Sequence, residues 1–139
     1  MKYTMSVGDL PDEDLRQTIV APLVTYNTSK AGPRNHRILS VSLFDDEENP
    51  VGGLYGRTDY SWLFIELIFV PESMRGQGIG REVMKMAEQE AIARNCHGAW
   101  LDTFEFQART FYEKLGYQVF GELKDFPVGH QRYYLTKQL

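Results

Sequence analysis

Val70-Pro71-Glu72-Ser73-Met74-Arg75-Gly76-Gln77-Gly78-Ile79-Gly80-Arg81 decides how this chain is read. The apolar run Leu63-Phe64-Ile65-Glu66-Leu67-Ile68-Phe69-Val70 leads into it, and a long amphipathic segment follows. That order predicts a strand, a glycine-rich turn and the start of a helix. The first N–H groups of a helix have no partner within it, and the macrodipole is positive at that end. Such a turn therefore binds phosphate. Arg75 and Arg81 add full positive charge beside it. A phosphorylated cofactor is the ligand this chemistry fits.

Spacing narrows the choice. A dinucleotide fingerprint, G-x-G-x-x-G, would need a third glycine at position 81, which is arginine. A P-loop needs Gly-Lys followed by Ser or Thr, and that sequence occurs nowhere. What stands here is Arg75-x-x-Gly78-x-Gly80 directly after a strand ending Val-Pro, with Phe111-Tyr112-Glu113-Lys114-Leu115-Gly116-Tyr117 some way downstream. This pattern resembles the acetyl-CoA pyrophosphate loop of the GNAT N-acetyltransferase superfamily, together with its Tyr-x-x-x-Gly-Tyr segment. The resemblance is good over residues 35 to 139 and rests on element order alone for the first thirty. It implies a mixed α/β GNAT fold, with a mixed sheet of six to seven strands, helices on both faces and a splayed central strand pair.

Composition sets the outer bounds. A chain of 139 residues is expected to form one domain, 1–139, with a sizeable core. Its 42% hydrophobic and 24% charged content is that of a globular protein. The net charge of −4, with no basic cluster, argues against a nucleic-acid partner. No apolar stretch approaches the roughly 20 residues of a membrane span. The first five residues lack the apolar core of a signal peptide. Cys96 is the sole cysteine, so an internal disulfide is excluded, and a reducing, cytoplasmic setting is expected.

Along the chain, residues 2–7 read as a short strand, and Asp12 or Asp9 caps a helix carrying Leu15, Ile19, Leu23 and Val24. Pro22 is expected to kink or split that helix. Residues 36–44 and 51–57 form a hairpin about the acidic turn Asp45-Asp46-Glu47-Glu48, which is read as solvated rather than as a metal site. The near-continuous apolar character of residues 63–70 predicts a central strand covered on both faces. A helix over 78–94 is expected to bury Ile79, Val83, Met86, Ala87 and Ile92. A strand over 99–104, a short helix over 107–115 and a hairpin over 117–123 and 131–136 complete the chain.

Acetyl transfer to an amine needs a held thioester, a partner for its carbonyl oxygen, a base for the ammonium and an acid for the departing thiolate. The resemblance implies a place for each. Backbone groups of Ile68, Phe69 and Val70 hold the pantetheine arm where the strands splay. Arg75, Gly76, Gln77 and Gly78, with Ile79, Gly80 and Arg81, surround the pyrophosphate. Tyr112 reaches the sulfur and protonates the thiolate, its phenol having an ordinary pKa near 10. In the family form Asn-x-x-Ala-x-x-x-Tyr, Ala108 and Tyr112 fit, while Glu105 stands at the asparagine position; Gln107 then supplies a substitute amide to the cofactor.

Glu66 interrupts an apolar run, and a carboxylate in a buried strand is costly unless used or paired. Desolvation would raise its pKa toward the range of a general base. It is assigned to the base or to contact with the substrate amine, against the alternatives of pairing with an arginine such as Arg57 or simply facing solvent at the cleft. Tyr26, Tyr55, Tyr60, Trp62, Phe104 and Phe106 are candidate walls of the acceptor cleft, suited with Glu66 and Glu105 to an amine cation. His130 in the last hairpin turn is a further substrate contact. His36, His97 and Cys96 form no zinc set. The expected activity is direct acetyl transfer from acetyl-CoA to a small-molecule primary amine. A protein or peptide acceptor and a catalytically weak acyl-CoA-binding module are the alternatives. A homodimer paired through the C-terminal hairpin, with Tyr133, Tyr134 and Leu135, is expected by analogy of fold.

Overall fold

The structure, a computed structural model, describes all 139 residues. They group into two compact units, Met1–Arg34 and Asn35–Leu139.

The first unit is dominated by one helix, α1, Glu13–Ala31. Asp12 caps it, accepting a hydrogen bond from the Leu15 N–H at 2.9 Å, and Glu13 and Asp14 place negative charge against the positive end of the dipole. The helix runs continuously through Pro22, so the segment is not split there. Proline removes one donor there, and on so exposed a helix water can satisfy the carbonyl left over. No residue of α1 is buried. Residues 2–7 form no strand; Tyr3, Met5 and Val7 alternate as a strand would, but all are exposed.

The second unit is a six-stranded sheet in the order β1-β2-β3-β4-β6-β5. Its strands are β1 Arg37–Phe44, β2 Pro50–Asp59, β3 Trp62–Phe69, β4 Gly98–Phe104, β5 Gln118–Lys124 and β6 Gln131–Gln138. Helix α2, Ile79–Ala93, makes the crossover that lets β3 and β4 run parallel, and the short helix α3, Arg109–Lys114, links β4 to β5. All other neighbours are antiparallel.

One core lies on one face of the sheet. Leu39, Leu54, Leu63, Leu101 and Leu135 meet Val83, Met84, Ala87 and Ala91 of α2, with Tyr112 and Tyr117 closing the far end. The buried stripe of α2 is thus 83, 84, 87 and 91; Met86 and Ile92, expected inside, are exposed. Both assignments satisfy a helical period, and only the direction of the sheet decides between them. Two polar clasps fix α2. Glu88 accepts from the Tyr117 hydroxyl (2.8 Å) and from Lys137 Nζ (2.7 Å). Arg94 donates to the Ile38 carbonyl (3.0 Å) and to Thr58 Oγ1 (3.1 Å).

The opposite face carries Trp62, Phe64, Trp100 and Phe120. The expectation that β3 is covered on both faces is therefore corrected: Leu63 and Ile65 are buried, whereas Phe64 is half-buried and Leu67 is exposed. Gly98 is required here, because a Cβ would stand 2.5 Å from the Trp62 ring. Leu135 is fully buried and β6 is flanked by β4 and β5, so within the C-terminal hairpin β5 carries the open edge.

Candidate active site

Strands β3 and β4 pair only from Trp62–Gly98 to Ile65–Leu101. Beyond that point β3 continues to Phe69 and β4 to Phe104 without bonding each other, and a cleft of about 860 Å³ opens between them. A register shift in the β2–β3 ladder falls at the same place. Tyr55 pairs with Leu67 and Gly56 with Ile65, leaving Glu66 as the extra residue of a bulge. The bulge turns β3 away from β4 and re-aims its side chains.

Backbone groups along a strand point alternately to its two neighbours. The Phe69 carbonyl lies so close to β2 that a Cβ on Gly52 would sit 2.4 Å from it. The Phe69 carbonyl is therefore directed at β2, and Ile68, Phe69 and Val70 all line the cleft. The Val70 carbonyl accepts from Arg75 Nε at 2.9 Å, which ties the arginine of the loop back onto the strand.

The loop itself has the expected shape. Gly76 (φ 77°) and Gly78 (φ 79°) are both left-handed, a conformation that costs residues with a Cβ about 1–2 kcal/mol. Gly78 is the N-cap of α2, and the first helical bond runs from the Glu82 N–H to its carbonyl at 3.0 Å. The N–H groups of Ile79, Gly80 and Arg81 thus have no helical acceptor. A Cβ on Gly80 would lie 3.2 Å from the Phe111 ring, so glycine lets α3 approach the start of α2.

The reactive side chains gather at the throat of the splay. Tyr112 of α3 is buried, edge-on to Phe111 and Tyr117, and lines the cleft. Burial first, and the charge of Asp102 second, push its hydroxyl up to about 12. Asp102 and Glu66 each follow the last paired residue of their strands, Leu101 and Ile65, and both line the cleft. Asp102 accepts from Arg132 Nε at 3.0 Å and also from its Nη2. The Arg132 guanidinium lies against both the Phe104 and the Phe126 ring, 4.8 and 4.7 Å from their centroids. Gln107 bends back so that its carbonyl oxygen accepts from the Phe104 N–H (2.9 Å) and Thr103 Oγ1 (3.0 Å), leaving its NH₂ free to offer.

Several sequence candidates fall elsewhere. Glu66 is exposed, so the expected burial is absent; it does not pair with Arg57, which lies 3.4 Å from Asp59 and stacks on Phe64. Phe104 and Phe106 line the cleft. Glu105 and His130 do not, but they bond each other (Oε1 to Nδ1, 2.7 Å), and His130 sits edge-on to Phe106. Tyr55 is exposed on β2 outside the lining, and Trp62 packs on His97 at the opposite end of β3. Tyr26 lies on α1, in the first unit. Asp102 and Arg132 escaped the sequence reading. Asp102 carried the same signal as Glu66, an acid within an apolar strand segment. Cys96 is buried, and burial raises its thiol, so it is no nucleophile.

A splayed parallel strand pair leads into a helix start with unpaired N–H groups, and comparison with known proteins gives the family. The sequence model of the acetyltransferase (GNAT) family matches residues 8–117. The chain belongs to that family. It is 38% identical over 138 residues to Acetyltransferase Atu2258 of Agrobacterium fabrum, covering 99% of each chain. It is 32% identical over 129 residues to Blasticidin-S acetyltransferase of Streptomyces morookaense, covering 90% of this chain and 85% of that one. A crystal structure of an acetyltransferase from Agrobacterium tumefaciens superposes with a TM-score of 0.89 at 37% identity, over all of both chains. In all this the chain is an acetyltransferase of GNAT type. No helix is long and apolar enough to cross a membrane.

Proposed function

We propose that the chain transfers an acetyl group from acetyl-CoA directly to a primary amine of a small cationic molecule. One observation carries the reading: a single cleft runs from the unpaired N–H groups at the start of α2 to Tyr112, Asp102 and Glu66 at the throat of the splay. The donor set suits the cofactor. Unbonded helix N–H groups flanked by Arg75 and Arg81 match a pyrophosphate, and strand backbone groups at Ile68 and Val70 match the amides of an extended arm.

When bound, acetyl-CoA supplies a thioester acetyl group and a thiol leaving group. The Ile79, Gly80 and Arg81 N–H groups fix its phosphates, and Gln107 offers its NH₂ along the arm. The cleft-facing N–H of Ile68 or Val70 polarises the thioester carbonyl. Glu66 attracts the acceptor's ammonium and takes its proton, through water where the side chain stands off. The freed amine nitrogen bonds to the acetyl carbon as the carbon–sulfur bond breaks, and Tyr112 gives its proton to the departing sulfur. Each proton transfer is worth ~10²–10⁴ in rate. The Glu66 carboxylate, with the Phe106 ring, favours a cation over a neutral amine, whereas Asp102 and the Phe104 ring are already engaged by Arg132. The Streptomyces relative acts, by its name, on an antibiotic, which supports a small-molecule acceptor.

The test is a thiol-release screen of the purified chain with acetyl-CoA against small amines and N-terminal peptides. Acetylation of a cationic small amine is expected; turnover confined to peptides would overturn the acceptor class.

A further inference from the structure

The cleft between β3 and β4 is lined from both faces of the sheet, and the two linings differ. On β4, Ala99, Leu101 and Thr103 are buried on the core side, so alternation turns Asp102 and Phe104 to the other face. The β4–β6 register sets Phe104 opposite Arg132, and cross-strand partners share a face. Tyr112 belongs to the core cluster and reaches the cleft from that side, whereas Asp102, Phe104 and Arg132 reach it from the other. With a cofactor held at the start of α2 and its sulfur at Tyr112, the side left for the acceptor is the one that Arg132 lines.

Arg132 is fixed there by its neighbours. Its Nε and Nη2 both donate to Asp102 Oδ1, and its guanidinium lies against the Phe104 and Phe126 rings. A guanidinium carries five N–H donors in a rigid fork. Asp102 occupies the Nε side, and Nη1 bonds to no acceptor within Asn35–Leu139. The outer edge of the fork is thus held in place with its donors unspent, in a geometry that matches the two oxygens of a carboxylate. We propose that Arg132 determines specificity: its outer edge receives a carboxylate carried by the acceptor, so the amine that is acetylated belongs to an amino acid. This rests on the transfer reading above and refines its acceptor. Glu66 draws the ammonium and Arg132 the carboxylate of one molecule, and both side chains line the same cleft. A phosphate would bring a second negative charge toward Asp102 and Glu66, so the singly charged carboxylate is favoured. The rings shield the guanidinium from water, which strengthens its bond to an anion. An amine without the carboxylate is rejected because the waiting donors are then left unpaired.

The test follows thiol release by the whole chain with acetyl-CoA and matched acceptors. Ornithine, lysine and arginine are each compared with the amine that lacks only the carboxylate. The amino acid of a pair is expected to have a kcat/KM about 10–100-fold higher. In Arg132→Gln that ratio should fall to about one, with circular dichroism showing a folded chain. Arg132→Lys keeps a cation beside Asp102 but loses the fork, so it should lower the ratio too, and it serves if the glutamine variant does not fold. Turnover of the plain amines with no preference for a carboxylate would overturn this inference and leave the transfer reading standing. A ratio undiminished in either folded variant would do the same. Thiol release with no amine of either kind would overturn the transfer reading, and this inference with it.

Discussion

At the scale of single residues, Tyr112 is the side chain on which turnover depends most. Its hydroxyl is raised to about 12, by burial first and by Asp102 second, so it stays a proton donor across any working pH. The sign follows from linkage: a raised folded pKa gives stability that is present below about 10 and lost as pH climbs through about 12. Absorbance titration should therefore show a phenolate that forms only near pH 12 and is missing in Tyr112→Phe. Ionisation of Tyr112 near its ordinary value of about 10 would contradict its buried setting. The same variant should keep acetyl-CoA affinity and lose on the order of 10²-fold in kcat; unchanged turnover would remove it as the acid. Glu66→Gln should lower kcat/KM for a cationic amine by about 10–100-fold and spare cofactor binding, as titration calorimetry with steady-state rates would report. Glu66 was legible in the sequence because it breaks an apolar run. Asp102 breaks its strand in the same way, but its partner Arg132 is thirty residues distant. Only the β4–β6 register, which sets Phe104 opposite Arg132, brings the two strands together.

At the scale of elements, the bulge and the loop do the positioning. The Arg75-x-x-Gly78-x-Gly80 turn was legible because left-handed glycines and a helix start leave a local signature. The bulge at Glu66 was not, since a register shift belongs to two strands at once. Gly78→Ala puts a Cβ on a left-handed N-cap, at about 1–2 kcal/mol of strain. Acetyl-CoA affinity should fall about tenfold as the turn relaxes, while the thermal midpoint drops by only about 4 °C per kcal/mol. Calorimetric titration and a melting curve check both; equal affinity would mean that the turn does not hold the phosphates.

At the scale of the whole molecule, the sequence predicted six of the strands and all three helices in order. It missed only on residues 2–7, where an alternating pattern was read as a strand. That pattern shows what a segment can pair with, and not whether a partner lies within the same chain. The central claim, however, is the chemistry of the cleft. It is tested most directly by titrating the chain with acetyl-CoA and then following thiol release and product mass with a cationic small amine. Saturable binding, one thiol released per acetylated amine and loss of that turnover in Tyr112→Phe are predicted. Absence of acetyl-CoA binding, or turnover indifferent to Tyr112, would contradict the account.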